Sequence, residues 1–503
     1  MTSSQPLPAT SATIAAIDLG SNSFHMIVAR TVDDQFQVVD RMREMVRLAA
    51  GLNERNELTD EAITRALTCL GRFGERVAEL PTGAVRVVGT NTLRVARNAA
   101  AFLAEAEAAL GHPIDVISGY EEARIIYLGV SHGLDDDAEQ RLVMDIGGGS
   151  TELILGRRFE PLYMESLHVG CVSQSTRFFS DGRIDEKRFR AAEIAAHQEL
   201  ESIQAGLRKR GWQSAIGASG SIVTVRDVVM SHGWSKDGIT AKSLSKLRRE
   251  MIKAGHVEAL AFKGLSEERR AVFAGGVSIL SAAFEALEIE RMRGSESALR
   301  EGLLYDLLGR IHQEDVRERT IADLSKRYEV DIEQGERVSE AAETIRQQVA
   351  DEWKLQSDDI RRLLRWAAQL HEIGLAISHS GYHKHGGYLV MNLDLPGFAR
   401  GEQRRLATLV RGHRRKLPLT EFEKPDGKLT TQLLRTCVVL RLAVTWHRRR
   451  TSDPLPPAEV SADGNTLKLR YPDGWMDAHP LMRADLEQEA VYLKAADVKL
   501  KFR

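Results

Sequence analysis

Two short segments of this sequence pair an aspartate with a run of small residues, a combination that can hold phosphate and a hard cation. They are Asp18 to Ser23 (DLGSNS) and Asp145 to Ser150 (DIGGGS). In each, an apolar run leads into the aspartate and a second apolar run follows the small residues, which predicts a β-hairpin. Backbone N–H groups of glycine- and serine-rich turns can surround phosphate oxygens, and a carboxylate can hold a hard cation.

The repetition of this pattern matters more than either copy. Aspartate is common in turns, so one such hairpin would be weak support for a site. Two related hairpins predict paired domains that face one cleft. The arrangement differs from a P-loop, because the sequence has no GxxxxGK[ST] motif.

The segments around the hairpins alternate between strand and helix patterns. Ala84 to Gly89 and Ile114 to Ser118 are predicted strands, and Thr59 to Leu80 and Ala96 to Gly111 are predicted helices. A third small-residue turn, Ala215 to Ser221, follows a helical pattern and opens another. Alternation of this kind predicts α/β domains.

Composition places the chain among globular proteins with several domains. It has 503 residues, 43% of them hydrophobic and 28% charged, with a net charge of -2, so two to four domains are expected. No apolar run approaches the roughly 20 residues that span a bilayer. Residues 1–13 lack the features of a signal peptide, and the three cysteines (Cys69, Cys171 and Cys437) lie far apart. We therefore expect a cytoplasmic protein with a disordered lead-in at 1–13.

The hairpins and four other segments resemble the exopolyphosphatase and guanosine pentaphosphate phosphatase family, which is related to actin, sugar kinases and Hsp70-type ATPases. The matching segments follow the family's order along the chain: Ala16 to Arg30, Val87 to Ala99, Ile117 to Val130, Val143 to Gly156, Gly217 to Ser221 and Ala298 to Arg310.

The resemblance implies an α/β fold with two actin-like (ribonuclease H-like, ASKHA) domains, then an all-α HD-like domain and a small α+β C-terminal domain. The expected boundaries are 14–132 for domain I, 133–310 for domain II, 311–450 for the helical HD-like domain and 451–503 for the C-terminal domain.

The same resemblance suggests roles for individual acids. Glu122 matches the catalytic base, and a carboxylate at a helix start beside a cleft can take a proton from water. Without the resemblance, Glu122 would be read as an acid that favours the helix N-terminus. Asp145 and Glu152 match positions that bind metal and orient water, and Asp18 is expected to face them near the same metal or phosphate.

A further set is expected to bind the substrate phosphates. Arg94 would offer fork-shaped donors, although an isolated helix arginine is usually solvated. The full predicted set is Asp18, Gly20, Ser21, Asn22, Ser23, Thr90, Asn91, Arg94, Gly147, Gly148, Gly149 and Ser150.

The C-terminal third resembles an HD-type phosphohydrolase domain with altered ligands. His371-Glu372 stands in place of the His-Asp pair, and Val444 stands where such a domain often has its aspartate. Since a lost carboxylate removes a ligand for a hard cation, we expect no working metal centre there and a hydrogen-bonded core role for His371.

This third is also locally basic. Between Gly401 and Arg450 there are 13 lysines and arginines against 4 acidic residues. A glycine-bounded loop with several histidines precedes it. An anion-binding track for a phosphate polymer competes here with a metal site at the histidines and with ordinary surface charge. The track would comprise His379, His383, Lys384, His385, Arg404, Arg405, Arg411, Arg414 and Arg415.

Together these features predict a hydrolase of phosphorus-containing acid anhydrides, namely an exopolyphosphatase that works processively. One alternative is a pppGpp 5′-phosphohydrolase of the stringent response, and another is a non-catalytic regulator that binds a phosphate polymer or a nucleotide. The resemblance implies Mg²⁺ or Mn²⁺ as the cofactor, K⁺ as an activator, a homodimer, and at most peripheral membrane association. With 6% aromatic residues, nucleic acid is not expected as a partner.

Overall fold

A computed structural model of the chain describes residues 12–32, 35–134, 139–311, 315–423, 430–451 and 458–503. Its contacts divide the chain into two compact units, Met1–Asp315 and Val316–Arg503, and each is described by itself. The predicted lead-in at 1–13 falls almost entirely outside the described residues, and the first strand begins at Thr13. The domain boundaries expected within each unit stay predictions.

The first unit contains a five-stranded sheet built from the N-terminal segment. Its strands are β1 (Thr13–Leu19), β2 (Phe24–Val32), β3 (Gln35–Glu44), β4 (Val85–Gly89) and β5 (Asp115–Val116). The order is β3-β2-β1-β4-β5. β1, β2 and β3 form an antiparallel meander, and β4 and β5 continue the sheet in parallel.

The second sheet of this unit repeats that topology. Its strands are β6 (Gln140–Ile146), β7 (Thr151–Arg157), β8 (Glu160–Leu167), β9 (Ser214–Gly217), β10 (Ile239–Thr240) and β11 (Arg291–Gly294). In the order β10-β11-β9-β6-β7-β8, the meander β6-β7-β8 is again followed by parallel neighbours, β9 and β11, on the other side of its first strand. The sequence echo is therefore a duplication of fold, which confirms the predicted pair of α/β halves.

Helices cover both sheets. They are α1 (Asp60–Val77), α2 (Asn91–Val95), α3 (Ala99–Leu110), α4 (Gly119–His132), α5 (Cys171–Phe178), α6 (Glu186–Arg210), α7 (Gly220–Ser231), α8 (Ala241–Ala254), α9 (Glu267–Leu287) and α10 (Leu299–Ile311). The four strands and helices predicted before β6 are confirmed with shorter ends. The turn predicted at Ala215 to Ser221 follows α6 and leads into α7, as expected, although its first three residues belong to β9 and pair with β6.

Two helices, α4 and α10, lie in a shared apolar core with strands of both sheets. They approach so closely that a Cβ at Gly302 would lie 1.9 Å from the Ile125 carbonyl oxygen. Arg124 of α4 forms buried ion pairs with Glu121 and with Asp306 of α10. The start of α4, and with it Glu122, is thus fixed between the two halves.

One helix corrects an expectation from the sequence. By length and composition α9 could span a membrane, although 72% of its most apolar window is buried inside the protein. Glycines and serines interrupt the strongly apolar residues of α9, so its sequence does not read as one continuous apolar run. A helix in the core of a folded domain passes the same test, and α9 packs against α5 and α6.

The second unit is mainly helical. Its elements are α11 (Val316–Arg327), α12 (Ile332–Trp353), α13 (Asp358–Leu370), α14 (Tyr382–Asn392), α15 (Arg400–Gly412), α16 (Thr431–Trp446), β12 (Glu459–Asp463), β13 (Thr466–Arg470), α17 (Trp475–Ala478), α18 (Pro480–Lys494) and β14 (Lys499–Phe502). The sheet β12-β13-β14 shares one hydrophobic core with the helices.

Candidate active site

The two aspartate-led hairpins are present and occupy equivalent positions in the two sheets. In the first, Asp18 on β1 pairs with His25 on β2. In the second, Asp145 on β6 pairs with Glu152 on β7. Each aspartate is the last residue but one of its strand, so its side chain lies beside the small-residue turn.

These turns meet because their residues are small. A Cβ at Gly148 would lie 2.8 Å from the Cβ of Ser21, and a Cβ at Gly149 would lie 2.3 Å from the side-chain oxygen of Asn91. The Thr92 hydroxyl donates to the Ser21 hydroxyl at 2.8 Å, which ties the start of α2 to the first turn. Glycine in the second turn therefore permits the two halves to close on each other.

A cavity of about 400 Å³ lies between the turns. Most of the predicted site residues line it: Asp18, Gly20, Ser21, Asn22, Ser23, Thr90, Asn91, Glu122, Asp145, Gly147, Gly148 and Ser150. Three predicted residues do not. Gly149 packs against Asn91 as described, and Arg94 and Glu152 lie behind the wall.

Glu122 lies in the first turn of α4, beside the cavity. The Ser118 hydroxyl caps this helix by accepting from the backbone N–H of Glu121. Arg94 donates to Oε2 of Glu122 at 2.7 Å and to the Ile117 carbonyl at 3.2 Å. Arg94, predicted as a phosphate ligand, is thus engaged with Glu122 and orients it, leaving Oε1 of Glu122 for another partner.

The floor of the cavity is acidic and poorly compensated. Burial, together with the charge of Glu122, raises the pKa of Asp18 to about 8 and that of Asp145 to about 7. Burial and the same neighbour also raise the pKa of Glu152 well above its usual range, even though its Oε1 accepts a hydrogen bond from the Ser166 hydroxyl at 2.8 Å. A cation bound between these acids would favour their ionised forms.

The residues of the floor fit a divalent cation held in part by the substrate. Oδ1 of Asp18 is buried and has no hydrogen-bond partner among the described residues. In the same part of the chain, no three His, Cys, Asp or Glu side chains converge as a ready-made metal site. Two carboxylates completed by phosphate oxygens and water are the usual ligand set of Mg²⁺.

Three arginines that the sequence reasoning did not single out line the cavity: Arg43, Arg269 and Arg300. Arg43 pairs with the exposed Glu268 at 3.4 Å and donates to the sulfur of Met45 at 3.2 Å. Arg269 lies directly over Gly220, where a Cβ would fall 1.9 Å from its Nη2. Burial, followed by the charge of Arg43, lowers the pKa of Arg269. The wall is therefore cationic and faces the acidic floor.

Other lining residues were also missed, among them His25, Cys171, Ser219 and Ser295. Two of them had a signal in the sequence. Ser219 lies in the small-residue turn from Ala215 to Ser221, and His25 occupies the place in the first hairpin that Glu152 holds in the second. Burial and nearby arginines lower the pKa of His25 to about 3, so its ring is neutral.

In the second unit His371 is a core residue, as expected. It is 1% exposed, and its Nδ1–H donates to the Ala368 carbonyl at 2.6 Å. The predicted glycine-bounded loop is wrong from Tyr382 onward, because α14 begins there. Gly386 and Gly387 lie inside the helix, where they allow close contact with Val410 and Arg411.

The residues of the predicted track are only partly gathered. His383 is buried at 7% exposure, so it cannot lie on a surface track. Lys384, Arg404 and Arg411 line a cavity of about 490 Å³ together with the exposed ring of Tyr388. The remaining members lie outside the lining of that cavity: His379, His385, Arg405, Arg414 and Arg415.

Comparison with known proteins agrees with this architecture. A model of the Ppx/GppA phosphatase family matches residues 27–311, and one of Ppx/GppA phosphatase domain III matches residues 316–490. An exopolyphosphatase-like protein of known structure is 26% identical, with a TM-score of 0.55 over 60% of this chain and 100% of its own.

Two further structures show the same fold. An exopolyphosphatase from Cytophaga hutchinsonii is 24% identical (TM-score 0.54, 59% of this chain and 98% of its own). A Ppx/GppA family member from Aquifex aeolicus is 23% identical (TM-score 0.51, 61% of this chain and 99% of its own). The fold is thus two actin-like domains followed by a helical domain III, and the chain belongs to the Ppx/GppA phosphatase family.

Proposed function

We propose that this chain is an exopolyphosphatase that releases orthophosphate from the ends of inorganic polyphosphate. The observation that carries the proposal is the bipolar cavity. Asp18 and Asp145 form its acidic floor, and Arg43, Arg269 and Arg300 form its basic wall. A chain of phosphates with a bound divalent cation is complementary to both surfaces, since the cation meets the carboxylates and the remaining phosphate charge meets the guanidinium groups.

The lining favours a bare phosphate chain over a nucleotide. Among the described lining residues, His25 carries the only aromatic ring, and it is engaged by Ser23 and Arg300. A guanine base would find no free ring to stack on. Hydrolysis of the 5′-terminal phosphate of pppGpp is the rival function, and it would use the same chemistry on another leaving group.

Glu122 is proposed as the general base. Because Arg94 holds Oε2, Oε1 is left to accept a proton from a water in the cavity. The water oxygen forms a bond to the terminal phosphorus, the bridging P–O bond breaks, and the shortened chain leaves with that oxygen. Backbone N–H groups of the two turns would bind the non-bridging oxygens.

We propose Mg²⁺ or Mn²⁺ as the cofactor, held by Asp145 and Asp18 with Glu152 behind them, where the ion would neutralise phosphate charge. K⁺ as an activator, a homodimer and a cytoplasmic location, with at most peripheral membrane contact, are further proposals. In the cavity of the second unit, Lys384, Arg404 and Arg411 outnumber the acids Glu421 and Glu423, and this small excess of positive charge supports retention of a long chain between turnovers.

The test is phosphate release from long-chain polyphosphate and from pppGpp, with Mg²⁺ and with excess EDTA. We expect metal-dependent release, faster from polyphosphate. Glu122→Gln should lower kcat by about 10² to 10⁴-fold while still binding polyphosphate. Glu75→Gln, which alters an exposed glutamate of α1, is the matched control and should retain full activity.

Three results would count against these assignments. A preference for pppGpp would replace the substrate, release in EDTA would remove the metal, and near-normal turnover by Glu122→Gln would take the base role from Glu122.

A further inference from the structure

Three polar side chains form a chain of hydrogen bonds at the wall of the cavity. Nη1 of Arg300 lies 3.0 Å from Nδ1 of His25, and Nε2 of His25 lies 2.7 Å from the hydroxyl oxygen of Ser23. All three residues line the cavity. Arg300 enters from the start of α10, whereas His25 and Ser23 belong to the first hairpin.

The direction of these bonds follows from the chemistry of arginine. A guanidinium can only donate, so Nδ1 of His25 must be the bare, accepting nitrogen. The neutral ring then carries its proton on Nε2, which donates to the Ser23 hydroxyl oxygen. That oxygen has no other hydrogen-bond partner within the described residues, so the hydroxyl proton of Ser23 is left to donate toward the cavity.

The duplication makes this arrangement distinctive. His25 in the first hairpin occupies the strand position that Glu152 holds in the second, since each pairs with the aspartate of its own hairpin. The second hairpin thus places a carboxylate behind its aspartate, suited to a cation. The first places a neutral ring supported by a guanidinium, suited to an anion. At this one strand position, therefore, the two hairpins present groups suited to opposite charges, although both contribute an aspartate to the floor.

We propose that Arg300 and His25 are positioning residues that fix the Ser23 hydroxyl as a hydrogen-bond donor to a non-bridging oxygen of the phosphoryl group under attack. The inference rests on the proposed hydrolysis of a phosphoanhydride in this cavity. A donor held in place before the reaction stabilises the charge that shifts on the phosphoryl oxygens in the transition state. Its loss should therefore lower kcat more than it raises KM.

The test is a double-mutant cycle with Ser23→Ala and His25→Phe, which keeps a ring but removes both nitrogens. Each single variant should lower kcat by roughly 10-fold to 100-fold. In the Ser23→Ala background, His25→Phe should cause little further loss, because the hydroxyl that it positions is already absent. His25→Gln, which keeps a donor near the place of Nε2, should recover part of the activity.

Controls separate positioning from folding. His168→Phe, at an exposed histidine of the same unit, should leave kcat unchanged, and melting temperatures should show that His25→Phe folds. Equal losses from His25→Phe in both backgrounds would indicate a merely structural role and overturn the inference. No loss at all would overturn it as well, because His25 would then have no role in turnover.

A second measurement does not depend on activity. In the ¹⁵N spectrum of histidine-labelled protein, the signals that disappear in His25→Phe should show a protonated Nε2 and a bare Nδ1. In Arg300→Met, the preference of His25 for a proton on Nε2 should weaken, because the donor to Nδ1 is gone. A proton on Nδ1 in the wild type would overturn the inference even if polyphosphate is hydrolysed. Conversely, a wild type that cleaves neither polyphosphate nor pppGpp would refute the proposed function while the spectrum still reports the tautomer.

Discussion

At the scale of single residues, the cost of burying acids and the need for space decide the site. Asp18 and Asp145 are buried beside Glu122 with raised pKa values, an arrangement that destabilises the empty protein and favours a bound cation. The turns that carry these aspartates can meet only because Gly148 has no side chain facing Ser21. The two buried carboxylates therefore set the charge of the cavity, and the missing side chain of Gly148 allows its shape.

Gly148→Ala tests the contact between the turns. The new Cβ would lie 2.8 Å from that of Ser21, so the turns must separate and kcat/KM should fall by at least about 10-fold, since small misplacements of catalytic groups are costly. Gly71→Ala is the matched control, because a Cβ there meets nothing within 4 Å, and it should keep full activity. Phosphate-release kinetics measure both. Normal kcat/KM in Gly148→Ala would show that the turns do not need this spacing.

At the scale of elements, the contact between α4 and α10 fixes the position of Glu122 relative to Arg300. Arg124 on α4 pairs with Asp306 on α10, and Arg310 reaches the same carboxylate at 2.9 Å. Burial alone would raise the pKa of Asp306, but the guanidinium groups of Arg310, Arg124 and Arg86 lower it overall. The contribution of this carboxylate to stability is therefore complete above its unfolded pKa of about 4. It is lost as the pH falls toward the lower folded value.

Asp306→Asn should destabilise the first unit by about 3 to 5 kcal/mol, because it leaves buried arginine charge without its partner. Urea denaturation at pH 7 and at pH 3.5 measures this, and the difference from wild type should shrink at the lower pH. Asp237→Asn breaks an exposed pair with Arg291 and should have little effect. A stable Asp306→Asn protein at pH 7 would show that packing alone holds α4 against α10.

At the scale of the whole molecule, buried ionisable groups make the stability of each unit depend on pH. The first unit buries acids at the cavity, and the second buries two neutral histidine rings beside each other. His371 and His413 are each 1% exposed, and burial lowers the pKa of both. Below about pH 6.5 these two histidines bind protons in the unfolded chain but remain neutral in the folded unit. The free energy of unfolding of the second unit therefore falls as the pH drops below that value.

Calorimetry between pH 7.5 and 5 should therefore show the transition of the second unit moving to lower temperature. The expected slope is up to about 1.4 kcal/mol per pH unit for each buried histidine. His413→Gln should reduce this slope, whereas His379→Gln, at an exposed position, should not. A transition independent of pH over this range would contradict the burial of neutral rings.

The sequence alone was enough to find the duplicated hairpins with Asp18 and Asp145, because apolar strands and glycine turns are local features of the chain. Glu122 was identified only through the family resemblance, since an acid at a helix start is otherwise explained by the helix dipole. The sequence also identified the family and the order of α/β and helical parts.

The sequence misjudged residues 382–385 as loop, because glycines that weaken an isolated helix are required where two helices touch. Arg43, Arg269 and Arg300 come from distant segments, and an arginine in sequence does not show what it will face. The pairing of Arg94 with Glu122, and of Arg300 with His25, exists only once the chain has folded, since burial and direction are properties of the tertiary structure.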